Sequence, residues 1–201
     1  MGRSARIKRK TRETDIKLEL SLDTAAEGSA VSVATGLGFF DHMLHAFGCH
    51  GGFGLKLAVK GDLEVDQHHT MEDTGLALGQ AFKDALGDKR GITRFGCSHV
   101  PMDDSLARVV VDLSGRPYLA WRAELPHPEA GGIPVRLFRE FMQGFVNASG
   151  TTLHVDLLVC EETHHGLEAI FKAFGRALAE AVALKPGSTA IPSTKGSLLY
   201  N

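Results

Sequence analysis

The sequence of 201 residues predicts an α+β fold made of two similar β-rich halves, the product of an internal duplication, each with helices packed on one face of a sheet. Three observations carry this expectation. The string His-His-x-x-Glu occurs twice, as His68-His69-Thr70-Met71-Glu72 and as His164-His165-Gly166-Leu167-Glu168, with starts 96 residues apart. An aromatic block at helical spacing precedes each copy, and its reference positions Phe40 and Phe138 lie 98 residues apart. Strand and helix signals also follow one another in the same order in both halves. With 10 histidines and 24 acidic residues in the chain, two accidental copies of the motif have a chance well below about 1%.

Residues 3–12 hold six basic side chains and read as a solvated tail, so that 1–11 stand apart from the folded body. Residues 14–22 alternate, with Ile16, Leu18, Leu20 and Leu22 apolar, as a half-buried strand requires, and 30–34 resemble a second strand. Residues 38–47 place Phe39, Phe40, Met43, Leu44 and Phe47 at helical spacing. Short strands are expected over 53–59 and 63–65, around Gly61-Asp62, and a helix from His68 to about Leu86, where Gly87-Asp88 stops it. The second half repeats the plan. Residues 105–113 and 118–123 are strand-like, 136–145 helical, 152–160 alternating, and a helix runs from His164 to about Leu184 before Pro186-Gly187. The halves divide as 12–93 and 94–190, leaving 191–201 as a flexible-looking tail rich in Ser, Thr and Gly.

Composition narrows the function. A hydrophobic content of 43% can bury a full core, and a net charge of −2 argues against a general nucleic-acid binder. Cys49, Cys97 and Cys160 have no paired or CxxC spacing, which points to a reducing compartment and excludes a thiolate metal site. No run approaches the roughly 20 apolar residues of a membrane span, and no signal-like segment is visible, so a soluble cytoplasmic protein is expected.

Each His-His-x-x-Glu packs three metal-ligand side chains into a short helical stretch. Glu72 is four residues from His68 and three from His69, on the face both flank, yet adjacent helical residues diverge by about 100°, so the two histidines suit two different ions. The motifs supply four His and two Glu. Two ions with three imidazoles and one carboxylate each need two more histidines, for which His42, His45, His50 and His154 are candidates, with His99 and His127 behind them. Such a sulfur-free shell suits Mn, Fe, Zn or Ni and leaves positions open for substrate. Glu13 and Asp103-Asp104 could serve as acid or base, or as exposed strand-end charges. Arg94, Arg116, Lys172, Ser193 and Lys195 lie near turn residues and form the cation and hydroxyl set that a phosphate monoester requires. No Walker loop or GxGxxG is present, which disfavours nucleotides.

Several strings, read together, resemble one family: Thr35-Gly36-Leu37-Gly38-Phe39-Phe40-Asp41-His42-Met43-Leu44, Gly61-Asp62, Asp66-Gln67-His68-His69-Thr70-Met71-Glu72-Asp73-Thr74-Gly75, Pro101-Met102-Asp103, Ser114-Gly115-Arg116-Pro117 and Phe171-Lys172-Ala173-Phe174. From about Arg12 to Lys195 the chain resembles imidazoleglycerol-phosphate dehydratase, a lyase of histidine biosynthesis. The resemblance implies a ribosomal protein S5 domain 2-like fold. It also implies two manganese ions per chain, held by His42, His68, His69, Glu72, His154, His164, His165 and Glu168. It assigns the phosphate to Arg94, Arg116, Lys172, Ser193 and Lys195, and places Glu13 at the substrate. The implied reaction turns D-erythro-imidazoleglycerol phosphate into imidazoleacetol phosphate, with manganese holding the substrate ring as imidazolate while Glu13, Glu72 or Glu168 moves the proton. The implied assembly is a homo-oligomer of 24 subunits with metal sites shared between chains, and neither nucleic acid nor membrane is a partner. Two segments depart from the family pattern: Cys160-Glu161-Glu162-Thr163, where Gly-x-Asn is usual, and 126–136. A two-metal phosphoesterase and a metal-storage module are the rival readings. The first normally bridges its ions with aspartates, and the second has no use for the phosphate cations.

Overall fold

The structure, a computed structural model, describes residues 2–23 and 30–198. The first half runs through β1 (Ser4–Lys10), β2 (Thr14–Ser21), β3 (Val31–Ala34), α1 (Gly38–Gly51), β4 (Gly54–Gly61) and α2 (His68–Leu86). The second runs through β5 (Phe95–Met102), β6 (Ser105–Asp112), β7 (Tyr118–Arg122), the small hairpin of β8 (Glu129–Ala130) and β9 (Ile133–Pro134), α3 (Arg136–Ser149), β10 (Thr152–Val159) and α4 (Thr163–Val182). The two four-stranded sheets have one topology: β1-β2-β4-β3 and β5-β6-β10-β7, each antiparallel except for its last pair. The expected α+β fold of two similar halves is the fold observed.

Each strand's alternation sends one row of side chains toward the helices. Ile16, Leu18 and Leu20 of β2, and Val109, Val111, Leu153 and Val155 of β6 and β10, are buried, while Lys17 and Glu19 face out. The helices lie between the sheets and cross from half to half: α2 packs on β1 and β2 and against α3, while α4 packs on β5 and β6 and against α1. The α2–α3 approach is backbone to backbone, since a Cβ on Gly75 would run into the Phe141 carbonyl oxygen. One continuous core results. Phe40, Phe47, Phe82, Phe138, Phe141, Phe145, Phe171 and Phe174 fill its centre, with Phe141 and Phe171 stacked at 5.6 Å and Phe47 and Phe174 tilted against each other at 5.0 Å.

Three expectations are corrected. The basic start is no solvated tail. Ser4–Lys10 is an edge strand in register with β2 from Ser4↔Ser21 to Lys10↔Asp15. Its alternation is masked because Arg9 occupies an inward position, where it pairs with Asp73 at 2.5 Å beneath α2. Residues 63–65 form a turn instead of a strand: the Val65 N–H donates to the Asp62 carbonyl at 2.8 Å, and Val65 is 67% exposed. Strand β5, absent from the periodic reading, has Gly96 and Ser98 as its buried positions because α4 passes so close that a Cβ on Gly96 would meet the Ala177 carbonyl oxygen. In the C-terminal tail Leu198 is buried, 3% exposed; 199–201 lie outside the described residues. No helix among the described residues is long and apolar enough to cross a membrane.

Candidate active site

Both motifs lie at the start of a helix where an acidic side chain accepts from a backbone N–H, that of the N-cap Glu162 in α4 and that of Asp66, one residue before the N-cap, in α2. The His68 N–H donates to Asp66 Oδ1 at 2.7 Å, and the His165 N–H to Glu162 Oε2 at 3.0 Å. The residues at which the chain departs from the family pattern thus supply the cap of α4. Neighbouring histidines diverge as helical geometry requires, with ring centroids 5.8 Å apart for His68 and His69 and 6.0 Å for His164 and His165. The first of each pair meets its own glutamate: His68 Nε2 lies 3.3 Å from Glu72 Oε2, and His164 Nε2 lies 3.3 Å from Glu168 Oε2. The second turns toward a carboxylate in a loop, which lies just before α2 for His69 and in the β5–β6 turn for His165. His69 Nδ1 is 2.9 Å from Asp62, with Glu13 at 3.7 Å from Nε2, while His165 Nδ1 is 3.3 Å from Asp104, with Asp103 at 3.9 Å from Nε2. Each second histidine therefore has a carboxylate behind Nδ1, the arrangement that leaves Nε2 as a donor for a metal.

His42, on α1, reaches the second motif, its Nε2 3.3 Å from Glu168 Oε2. His42, His164 and Glu168 form the one group of three metal-ligand side chains among the described residues whose donor atoms all lie within 4.8 Å of one another. Phe39 holds His164 edge-on at 4.9 Å, and the β8–β9 hairpin closes over Phe39 through Gly131. Burial works against the Glu168 carboxylate, but Lys172, 2.7 Å from Oε1, and His42 outweigh it and hold the group below the usual carboxylate range. The hydrogen bond to Asp62 raises His69 above the ordinary imidazole value despite partial desolvation.

Other expected ligands do not join this trio. On β10, Leu153 and Val155 face the helices, so His154 lies on the outer sheet face, 3.2 Å from Arg122 and beside the Tyr118 ring. His45 sits 3.5 Å from the Cys49 sulfur. His50 is held below the ordinary value by burial, with Lys172 and Arg176 adding to the effect.

A separate cleft of about 410 Å³ is lined by Arg94, Arg116, Ser193, Thr194, Lys195, Ser197 and Leu198. Arg94, at φ +79°, donates to both oxygens of Asp112 at 2.8 and 3.2 Å and to the Pro192 carbonyl at 2.9 Å, which ties the C-terminal segment over the cleft. Four of the five expected phosphate residues thus meet; Lys172 is instead on α4 against Glu168. Glu13 lines another hollow with Lys10, Arg12, Lys60 and Asp62. Sequence reasoning missed Asp62, Phe39 and Glu162 as site residues. Only the position of Asp62 ahead of the first motif was a visible signal.

The chain is similar to proteins of one family. The family profile of imidazoleglycerol-phosphate dehydratase matches residues 35–178. The imidazoleglycerol-phosphate dehydratase of Lacticaseibacillus casei is 54% identical over 194 residues, covering 96% of this chain and 98% of the relative, and that of Moorella thermoacetica is 51% identical over 198 residues, covering 98% and 100%. Among solved structures, the Staphylococcus aureus enzyme superposes with a TM-score of 0.80 at 38% identity, over 90% of this chain and 99% of its own. The Pyrococcus furiosus enzyme in complex with (S)-C348 gives 0.81 at 35% identity, over 95% and 99%. Near-complete coverage in both directions leaves one reading of these matches, and the chain belongs to the imidazoleglycerol-phosphate dehydratase family of hydro-lyases.

Proposed function

We propose that this protein dehydrates D-erythro-imidazoleglycerol phosphate to imidazoleacetol phosphate in histidine biosynthesis, in the cytoplasm, using two manganese ions per chain. The observation that carries the metal reading is the His42–His164–Glu168 trio, together with its counterpart His68–Glu72 and the carboxylate-backed His69 and His165. Imidazole and carboxylate donors with carboxylates behind them fit a divalent ion that accepts nitrogen and oxygen and keeps positions open. Bound there, the ions would supply the Lewis acidity that the substrate, lacking a carbonyl beside the proton to be removed, does not have.

The rest falls to the chain's own groups. Arg94, Arg116, Ser193 and Lys195 bind the phosphate, and its fixed position orients the glycerol chain. One carboxylate takes the proton from the carbon bearing the retained hydroxyl, and that proton is passed to the hydroxyl beside the ring as it leaves, so that it departs as water. The resulting enol becomes the ketone when a proton is returned to the carbon beside the ring. Of Glu13, Glu72 and Glu168, the geometry favours Glu13. Glu168 is engaged by Lys172 and two histidines and Glu72 by His68, whereas Glu13 stands half exposed at 3.7 Å from His69. His154 on an outer sheet face, and His69 and His165 turned away from the trio, support sites completed by a second copy of the chain within an assembly of 24.

Manganese-loaded protein incubated with imidazoleglycerol phosphate tests the reading. Imidazoleacetol phosphate should accumulate without phosphate release; free phosphate would favour the phosphoesterase, and no conversion would leave a metal-binding module. Arg116→Gln or Lys195→Gln should weaken substrate binding by about 1.5–3 kcal/mol with metal content unchanged. Equal affinity for the substrate with and without its phosphate would show that the cleft has another purpose.

A further inference from the structure

Lys89 is a costly residue in two ways. Its backbone sits at φ +63°, in the left-handed region that a lysine rarely adopts, and its side chain is buried, with the residue only 3% exposed. Burial lowers the ammonium from its usual value, and only nearby Asp112 pulls the other way. The mechanism proposed above does not use it.

The hydrogen bonds around it show what it holds. Lys89 Nζ donates to the Leu113 carbonyl at 3.0 Å, and the Leu113 N–H donates to the Arg94 carbonyl at 3.1 Å. Both backbone groups of Leu113 are thereby fixed by the loop that carries Arg94. Leu113 opens the turn Ser114-Gly115-Arg116, in which the Arg116 N–H donates to Ser114 Oγ at 3.1 Å. Lys89, Gly115, Pro117, Gly150 and Leu198 also line a cavity of about 140 Å³, and Leu198 is at the same time a wall of the Arg94–Arg116–Lys195 cleft. The buried ammonium stands behind that cleft at the point where the loop of Arg94, the turn of Arg116 and the C-terminal segment converge.

We propose that Lys89 is a positioning residue for phosphate recognition, its ammonium pinning the Leu113 carbonyl so that Arg94 and Arg116 are held at one spacing across the cleft. This rests on the reading of that cleft as the phosphate site. A lysine is suited to the task because one donor on a flexible stem reaches a single backbone oxygen from inside the fold. It also places a positive charge in a low-dielectric setting behind an anion.

Steady-state kinetics of the manganese-loaded enzyme with imidazoleglycerol phosphate, and inhibition by inorganic phosphate, provide the test. Lys89→Met keeps the bulk and removes the donor. Lys89→Gly removes the side chain while relieving the left-handed backbone, so it keeps the question open to experiment if the first variant does not fold. In both, KM and the phosphate inhibition constant should rise about tenfold, with kcat and metal content within about twofold of wild type. Lys89→Arg, which retains charge and donors, should recover KM to within about threefold. Arg116→Gln is run in parallel. If it raises KM while Lys89→Met and Lys89→Gly match wild type, or lose only thermal stability, Lys89 is structural and the proposal is wrong. If Arg116→Gln itself leaves KM unchanged, the phosphate reading of the cleft fails and takes this inference with it.

Discussion

His68→Ala and His165→Ala are each expected to lose bound divalent metal and to reduce turnover below detection. The two positions probe different halves of the duplicated site: His68 faces Glu72 on α2, and His165, backed by Asp104, points away from the trio on α4. In the proposed two-ion site, removing either donor would strip an ion of one imidazole. Asp62→Asn should be milder, costing about 10–100-fold in metal affinity, because it disturbs only the orientation of His69. Metal content of the purified variants beside their rates is the measurement, and wild-type values for both in His68→Ala and His165→Ala would refute the assignment. Metal sites shared between chains, as proposed, would add an assembly effect. A chelator should shift the wild-type protein to smaller species, trimers by expectation, and manganese should restore the large particle together with activity. Sedimentation that shows a small, fully active, metal-loaded oligomer would count against sharing.

Phe171→Ala should cost about 3–5 kcal/mol. The ring is 0% exposed, stacks on Phe141 at 5.6 Å and meets Phe138 edge-on at 6.0 Å, so truncation empties a space between α3 and α4 in the common core. Rigid backbone contacts such as Gly75 against Phe141 leave little room for the surrounding helices to close the gap. Urea denaturation at fixed protein concentration and metal content measures it, and a loss below about 1 kcal/mol would mean the core relaxes far more than its packing implies.

What the sequence made legible were the parts governed by local periodicity. The boundaries of α2 follow from a motif start at His68 and the Gly87-Asp88 stop, and the alternating strands β2, β6 and β10 fall within a residue or two of expectation. Elements whose inward positions are not apolar were illegible. Strand β5 presents Gly96 and Ser98 to α4, and β1 presents Arg9, whose partner Asp73 is 64 residues away. The site divides the same way. The spacing of His68 and His69 dictated their divergence, but Asp62, Asp104 and Phe39 act through loops and helices that only the fold brings near. That Lys172 meets Glu168 follows from their i,i+4 spacing on α4, but its separation from the cleft of Arg94 and Arg116 depends on which helix face meets β5, and spacing does not encode that.

The crossed helix pairs, α2 on α3 and α1 on α4, have a consequence for how the chain matures. Each half, taken alone, presents an apolar helical face that the other half was shaped to cover. During synthesis the first half leaves the ribosome well before α3 and α4 exist, and at 5–20 residues per second the remaining hundred or so residues take roughly 5–20 s. For that interval Phe40, Phe47 and Phe82 have no partner from the second half, and the unfinished protein exposes the apolar surface that makes folding intermediates prone to aggregate. A polypeptide severed between the halves would yield two sticky fragments that become soluble only by finding each other.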